Sequence, residues 1–413
     1  MSVFDQLKKD ADSIIEASIQ AVLPDEAVKK ALADFVPHGG KVVLVACGKA
    51  AWQMARTAAE TLEKLDDGIV ITKYDHVKGE IPGVLCLEAG HPVPDENSFA
   101  ATRRAMELVA PLGEKDDVVF LISGGGSALF EDPLIPGEEL QDITRQLLAC
   151  GADIKEMNTI RKRLSGVKGG RFAQQCAPAD VFSIVLSDVL GDPLDMIASG
   201  PAYPDSTTCA QAKEIIAKYG LDFTDKAMEL MDQETPKSLD NVQTRITGSV
   251  RELCAAAAAK CSELGYEPQI LTDDLCCEAR TAGEDLACIL KKHAADGKQL
   301  AFIAGGETIV HLTGKGMGGR NQEIALAAAP VLEGLNAAVF SVGSDGTDGP
   351  TDAAGGYADG SSMEKLRAKG YDVKAVLADN DSYHALEAVG GLIKTGATGT
   401  NVNDVSVGLI RFE

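Results

Sequence analysis

Lys49 stands in Cys47-Gly48-Lys49-Ala50-Ala51, where an apolar run ends in a glycine and a helix opens. Asp or Glu is the favoured residue type there, because the peptide dipole and the free N–H groups already make a helix start positive. A lysine in that place suits an anion, phosphate or carboxylate, with a solvated surface lysine as the plain alternative. Ser123-Gly124-Gly125-Gly126-Ser127 follows another apolar run. Each glycine costs about 1 kcal/mol of backbone entropy in regular structure. Three in succession fit a backbone that must approach something closely, and a strand–glycine–helix turn arrays N–H donors for a phosphate. A flexible turn is the alternative. Ser187–Asp195 (SDVLGDPLD) leaves a third strand. Asp188 and Asp192 are four apart across a glycine, so both can face one ligand. Paired carboxylates at a strand end suit Mg²⁺, and one of them can instead accept a hydroxyl proton. Asp192 reads equally well as a helix cap.

Gly305–Glu323 (GGETIVHLTGKGMGGRNQE) contains a formal GxGxxG from Gly314 to Gly319. A dinucleotide site wants an acid at the end of the next strand, and Glu333 falls before that strand. Arg320, opening a helix, reads better as an anion contact able to bind carboxylate or phosphate with two N–H groups. Asp345, Asp348 and Asp352 lie in a glycine-spaced loop without EF-hand spacing, so metal, ribose contact and plain turn all stay open. Lys155, Arg161, Lys162, Arg163, Lys168 and Arg171 place six cations within seventeen residues. Among them Lys168-Gly169-Gly170-Arg171 looks like a further anion-facing turn. No Walker A sequence, protein-kinase motif set or HExxH occurs.

The elements that must position these loops follow from periodicity. Lys41–Ala46, Gly68–Thr72, Val84–Leu87, Asp117–Ile122 and Val181–Leu186 are short apolar runs alternating with helical segments, as in a buried parallel sheet with helices on both faces. Residues 232–245 (DQETPKSLDNVQTR) are polar and aperiodic, which places a domain boundary there and gives domains 1–240 and 241–413. Strand–helix alternation then resumes, with strands expected at Glu267–Thr272, Gln299–Ile303, Thr308–Leu312, Ala337–Val342 and Val405–Ile410. The fold class is α/β throughout.

Composition narrows the class of function. The chain has 413 residues, 45% hydrophobic, with 42 glycines and a formal charge of −23. Such acidity excludes a basic nucleic-acid footprint and leaves anion capture to local cations and N–H groups. No apolar run reaches the roughly 18–20 residues of a membrane span. Met1–Glu16 reads as an amphipathic helix without a secretory signal. Ten scattered cysteines without a CxxC pair suit a reduced cytoplasm, and Cys47 reads as packing.

The ordered stretches CGKAAWQMA, EAGHPVPDENS, SGGGSALFEDP, IKEMNTIRKRLSGVKGGRFA, LSDVLGDPLDMIASGPAYPD, AGGETIVHLTGKGMGGRNQEIAL, SVGSDGTDGPTDAAGG and TGATGTNVNDV run from about residue 46 to 405. On them the chain resembles the two-domain glycerate 2-kinases with a C-terminal MOFRL domain. The resemblance implies a Rossmann-like N-terminal domain, a smaller C-terminal α/β domain holding the MOFRL segment at about 298–405, and an active site in the cleft between them. It implies ATP and Mg²⁺ as cofactors, D-glycerate as acceptor and 2-phosphoglycerate as product, and active-site roles for Lys49 and Arg320. The family pattern carries Pro where Ala397 stands and Thr where Ala202 stands, which touches fine substrate contacts. The mechanism expected from residues and resemblance together has Ser123, Gly124, Gly125, Gly126, Ser127, Lys168 and Gly169 on the nucleotide phosphates. Asp188 and Asp192 are expected on the metal, with Asp188 as the alternative base, and Lys49 and Arg320 on the transferring group and the glycerate carboxylate. A homodimer is expected on general grounds alone. The alternative activity is an NAD(P)H-dependent hydroxypyruvate reductase, disfavoured because His91 and His311 have no evident acidic partner in the sequence.

Overall fold

The computed structural model describes residues 2–187 and 194–412, so Asp188 and Asp192 lie outside the described residues. The chain divides into two units, Ala27–Thr247 and a second made of Met1–Glu26 with Gly248–Glu413.

The first unit is built on six parallel strands: β1 (Val42–Cys47), β2 (Asp67–Lys73), β3 (Leu85–Ala89), β4 (Asp117–Ile122), β5 (Asp180–Leu186) and β6 (Val242–Thr247). Their order is β3-β2-β1-β4-β5-β6, the doubly wound order of the Rossmann fold. Every residue of β1 and β4 is buried, because helices cover both faces and leave no side for polar residues. In this order the chain reverses direction between β1 and β4, which opens a crevice at their carboxyl ends. The register pairs Cys47 with Ile122, so the loops after β1 and β4 start level with each other. Beneath the second loop Phe120, Phe130 and Phe172 meet at centroid distances of 4.5–5.6 Å, with Phe130 edge-on to Phe172. Such ring pairs each add about 0.5–1.5 kcal/mol beyond area burial, which anchors the loop on its strand.

The second unit carries β7 (Glu267–Leu275), β8 (Leu300–Gly306), β9 (Ala337–Gly343), β10 (Gly355–Asp359), β11 (Leu392–Ile393) and β12 (Asp404–Ile410) in the order β11-β10-β9-β12-β8-β7. Only β7 and β8 pair in parallel; the other neighbours are antiparallel, so the sheet is mixed.

Two expectations about the division of the chain change. Helix Val3–Ala21 belongs to the second unit, where its buried Asp10 accepts from Tyr266 Oη at 2.7 Å and Arg411 Nη1 at 3.0 Å. The polar stretch taken as the boundary runs into β6, which pairs with β5 from Val242 to Thr247. An edge strand faces solvent on one side, and its polarity hides it in the sequence. Thr308–Leu312 is not a strand: only Ile309 forms an isolated bridge, to Glu278.

Candidate functional site

At the β1–β4 crevice two loops are pressed together. Gly48 has φ +120°, and a Cβ there would fall 2.2 Å from Ser123 Oγ. Lys49 N–H donates to Gly124 O at 2.9 Å, and Ala50 N–H to Ser123 Oγ at 3.1 Å. Ser123 is therefore a buried clasp between the loops. Lys49 is exposed, and its ammonium has no carboxylate partner among the described residues. Its Cε lies 3.2 Å from where a Cβ on Gly125 would sit, and Gly125 has φ +86°. Only glycine combines that left-handed backbone with room for the lysine.

His91, two residues beyond β3, completes this corner. Its Nε2 and Cδ2 lie 3.0 Å from the same Gly125 position. Burial depresses its pKa, and the nearby Lys49, Lys73 and His76 depress it further, so the ring is neutral at neutral pH. The sequence offers His91 no evident acidic partner, and in the structure its charged neighbours are Lys49, Lys73 and His76. Gly126 N–H is used by Ser123 O at 3.3 Å, whereas those of Gly124, Gly125 and Ser127 find no acceptor among the described residues. These free donors beside a cation fit an anion of the phosphate class. Cys47, beneath the loop, is fully buried with its thiol pushed up to about 12 by burial, as expected of a packing residue.

The expected phosphate contacts of Lys168 and Gly169 do not match their surroundings. Lys168 is fully buried and donates to Glu131 Oε2 at 2.5 Å and Phe130 O at 3.3 Å. Gly169 N–H is spent on Ser199 O at 3.0 Å. Lys162 pairs with Asp205 at 3.1 Å, and Arg163 bonds Thr207 and Glu234. Most of the basic cluster thus holds the fold together. Asp188 and Asp192, expected on a metal, lie outside the described residues, and among the described residues no three His, Cys, Asp or Glu converge to hold one.

In the second unit Arg320 opens helix Arg320–Leu332 as expected, yet it is already paired. Its Nε and Nη2 take both oxygens of Asp404 at 2.5 and 3.0 Å, and Nη1 takes Glu307 at 2.7 Å. Burial pushes Asp404 up to about 6, against the pull of Arg320 and helped by nearby Asp348. The acidic loop resolves into structural parts. Asp348 caps the Arg320 helix through Asn321 and Gln322 N–H groups at 3.1 and 2.9 Å. Asp345 closes a turn on Thr347 N–H, and Asp352 accepts from Tyr383 and Lys394.

The GxGxxG loop is filled by the protein itself. Asn380 Oδ1 accepts from Thr313 and Gly314 N–H, Asp379 Oδ1 from Lys315, Asp379 O from Gly316 and Asp381 Oδ1 from Met317. A Cβ on Gly314 would meet the Asp379 backbone at 2.3 Å, and one on Gly319 the Asp348 carboxylate at 2.2 Å. The glycines make room for those residues and leave none for a pyrophosphate.

Comparison with known proteins agrees with this architecture. Residues 10–232 match a family model described as a domain of unknown function, DUF4147, and residues 300–404 match the MOFRL family. A protein of Thermotoga maritima called D-glycerate 2-kinase is 51% identical over 98% of this chain and 99% of its own length. A crystal structure of glycerate kinase from the same organism superposes with a TM-score of 0.93 at 50% identity, covering 98% of this chain and all of that one. The chain belongs to the two-domain glycerate kinase family with a C-terminal MOFRL segment. An Agrobacterium vitis relative in the same family, 39% identical over 96% of this chain and 93% of its own, is called a putative hydroxypyruvate reductase. Among the described residues no helix is long and apolar enough to cross a membrane.

Proposed function

We propose that this chain transfers the γ-phosphoryl of ATP to D-glycerate and releases 2-phosphoglycerate. The observation that carries it is the β1–β4 crevice: free N–H groups of Gly124, Gly125 and Ser127 beside the unpaired Lys49, in a chain 51% identical to a protein called D-glycerate 2-kinase. Phosphoryl transfer needs positioning and charge neutralisation more than covalent help. The glycine loop receives phosphate oxygens, and Lys49 balances charge on the group in flight. The acceptor oxygen bonds to Pγ as the Pγ–O bond to the leaving ADP breaks. Neutral His91, beside Lys49, accepts the hydroxyl proton. Arg320 takes part by moving Nη1 from half-exposed Glu307 to an anionic substrate group, while Asp404 keeps the guanidinium in place.

ATP acts in such transfers as its Mg²⁺ complex, in which the ion screens the phosphate charge. Asp188 and Asp192 are the carboxylates we assign to it. Incubating the protein with ATP and D-glycerate and identifying the product by ³¹P and ¹H NMR tests the proposal. Appearance of 2-phosphoglycerate supports it, and unconsumed glycerate overturns it. The reductase name of the Agrobacterium relative makes hydroxypyruvate with NADH the companion assay. The self-filled GxGxxG loop predicts no loss of nicotinamide absorbance.

A further inference from the structure

Arg161 differs from the other buried and half-buried cations of its cluster. It lies in the last turns of helix Ile154–Arg163, half-buried against the glycine loop. Nη2 donates to Ser127 O at 3.4 Å, a long and weak bond. Its Nε is buried and has no hydrogen-bond partner among the described residues. No carboxylate lies within ion-pair reach of it among the described residues, in a chain whose formal charge is −23. By contrast Lys162, Arg163 and Lys168 all have carboxylate partners, and Arg171 donates to the carbonyls of Arg163 and Ser165. A buried, unbonded guanidinium N–H is expensive and calls for a partner. Burial lowers the pKa of Lys168, and the charge of nearby Arg161 lowers it further against the pull of Glu131, so two cations repel there.

The face that presents Arg161 is built to hold still. One turn earlier Asn158 accepts from Ser199 Oγ at 3.0 Å, and Ser199 Oγ lies 3.1 Å from Ser127 Oγ. Ala198 and Ser199 both have left-handed backbone, φ +51° and +60°, and a Cβ on Gly126 would meet Ala198 Cβ at 2.7 Å. Non-glycine residues pay for that conformation, and the packed turn fixes the loop edge against the helix.

We infer that Arg161 binds the triphosphate chain of the nucleotide at the Ser127 edge of the glycine loop. This rests on the reading of that loop as the phosphate site. Nε and Nη2 form the edge with which a guanidinium takes two oxygens of one anion, the edge Arg320 applies to Asp404. Arg161 and Lys49 then stand at the same glycine loop, with the free N–H groups of Gly124, Gly125 and Ser127 between them in sequence. Two unpaired cations with those donors match a group of several negative charges better than the single charge of a carboxylate.

The test measures binding to the full chain without turnover, by titration calorimetry with ATP, inorganic tripolyphosphate and D-glycerate separately. Arg161→Gln is expected to weaken ATP and tripolyphosphate alike by about tenfold or more, with D-glycerate affinity and Tm unchanged. Unchanged ATP affinity overturns the assignment. So does a loss confined to D-glycerate, or a loss for ATP that spares tripolyphosphate. Should Arg161→Gln lower Tm together with binding, Arg161→Lys decides, since it keeps the charge and stem but not the two-pronged edge. Restored Tm with weak phosphate binding supports the inference, and full recovery of both overturns it. Wild-type turnover of D-glycerate is scored separately, so failure of the acceptor assignment and failure of Arg161 read differently.

Discussion

Two glycine-rich loops of this protein look alike in sequence and differ in what satisfies their N–H groups. Gly314–Gly319 follows β8, and its N–H neighbours are taken by Asp379, Asn380 and Asp381. Ser123–Ser127 follows β4 and meets Lys49, His91 and Arg161, with three N–H groups left over. Glycines in both cases admit a close neighbour. What separates a structural loop from a binding loop is who already satisfies the donors. The same contrast divides the cations: Arg320 and Lys168 have carboxylate partners, and Lys49 and Arg161 have none among the described residues.

The largest effect expected on either side of this contrast is on stability. Lys168 and Glu131 are both fully buried, and breaking such a pair costs about 3–5 kcal/mol because one charge is stranded. Lys168→Met should therefore lower the urea midpoint sharply, and Lys168→Met with Glu131→Leu should recover most of the loss. ATP affinity of the folded double variant should match wild type. A large loss of ATP affinity at preserved stability would return Lys168 to the phosphate site.

Next comes Lys49→Ala. Removing a preorganised charge from a transition state costs about 10²–10³ in kcat. Circular dichroism and Tm should not move, because the side chain is exposed and unpaired. Near-normal turnover would remove Lys49 from the chemistry.

The glycines themselves give the matched pair. Gly125→Ala forces φ +86° on a residue whose Cβ meets His91 and Lys49, and displacements of that size cost about tenfold to a hundredfold in kcat/KM. Gly314→Ala drives a Cβ into the Asp379 backbone and should cost about 1–3 kcal/mol of stability with ATP binding intact. If Gly314→Ala instead abolishes ATP binding at unchanged Tm, the contrast between the loops fails.

How much of this was legible follows from range. β1 and β4 are buried on both faces, so their apolar runs declare themselves, and the loops at their ends follow from position. β6 hid because an edge strand is half polar, and β10 because Gly355-Gly356 carries little β propensity. A lysine in a sequence does not show its partner: Glu131 is 37 residues from Lys168, and Asp404 is 84 from Arg320. From sequence alone both look like free cations for that reason. The place of His91 is hidden in the sequence because the residues it meets, Lys49 and Gly125, are not near it in the chain.

The smallest effect concerns the occupied side of the contrast and is a matter of pH. Asp404 has its carboxyl pushed up to about 6 from an ordinary 3.8, chiefly by burial and further by Asp348, while Arg320 pulls it down. The folded state then holds this proton more tightly than the unfolded chain does. Its contribution to stability is complete below about pH 4 and is lost as pH rises through about 6. Asn cannot ionise, so Asp404→Asn should gain on wild type between pH 4 and 7 in paired urea titrations. A gap that widens in favour of wild type over that window would mean the carboxylate is held ionised by Arg320. In that case the guanidinium is bound more firmly than its exposed Glu307 contact suggests, and releasing Nη1 to a substrate would carry a larger cost.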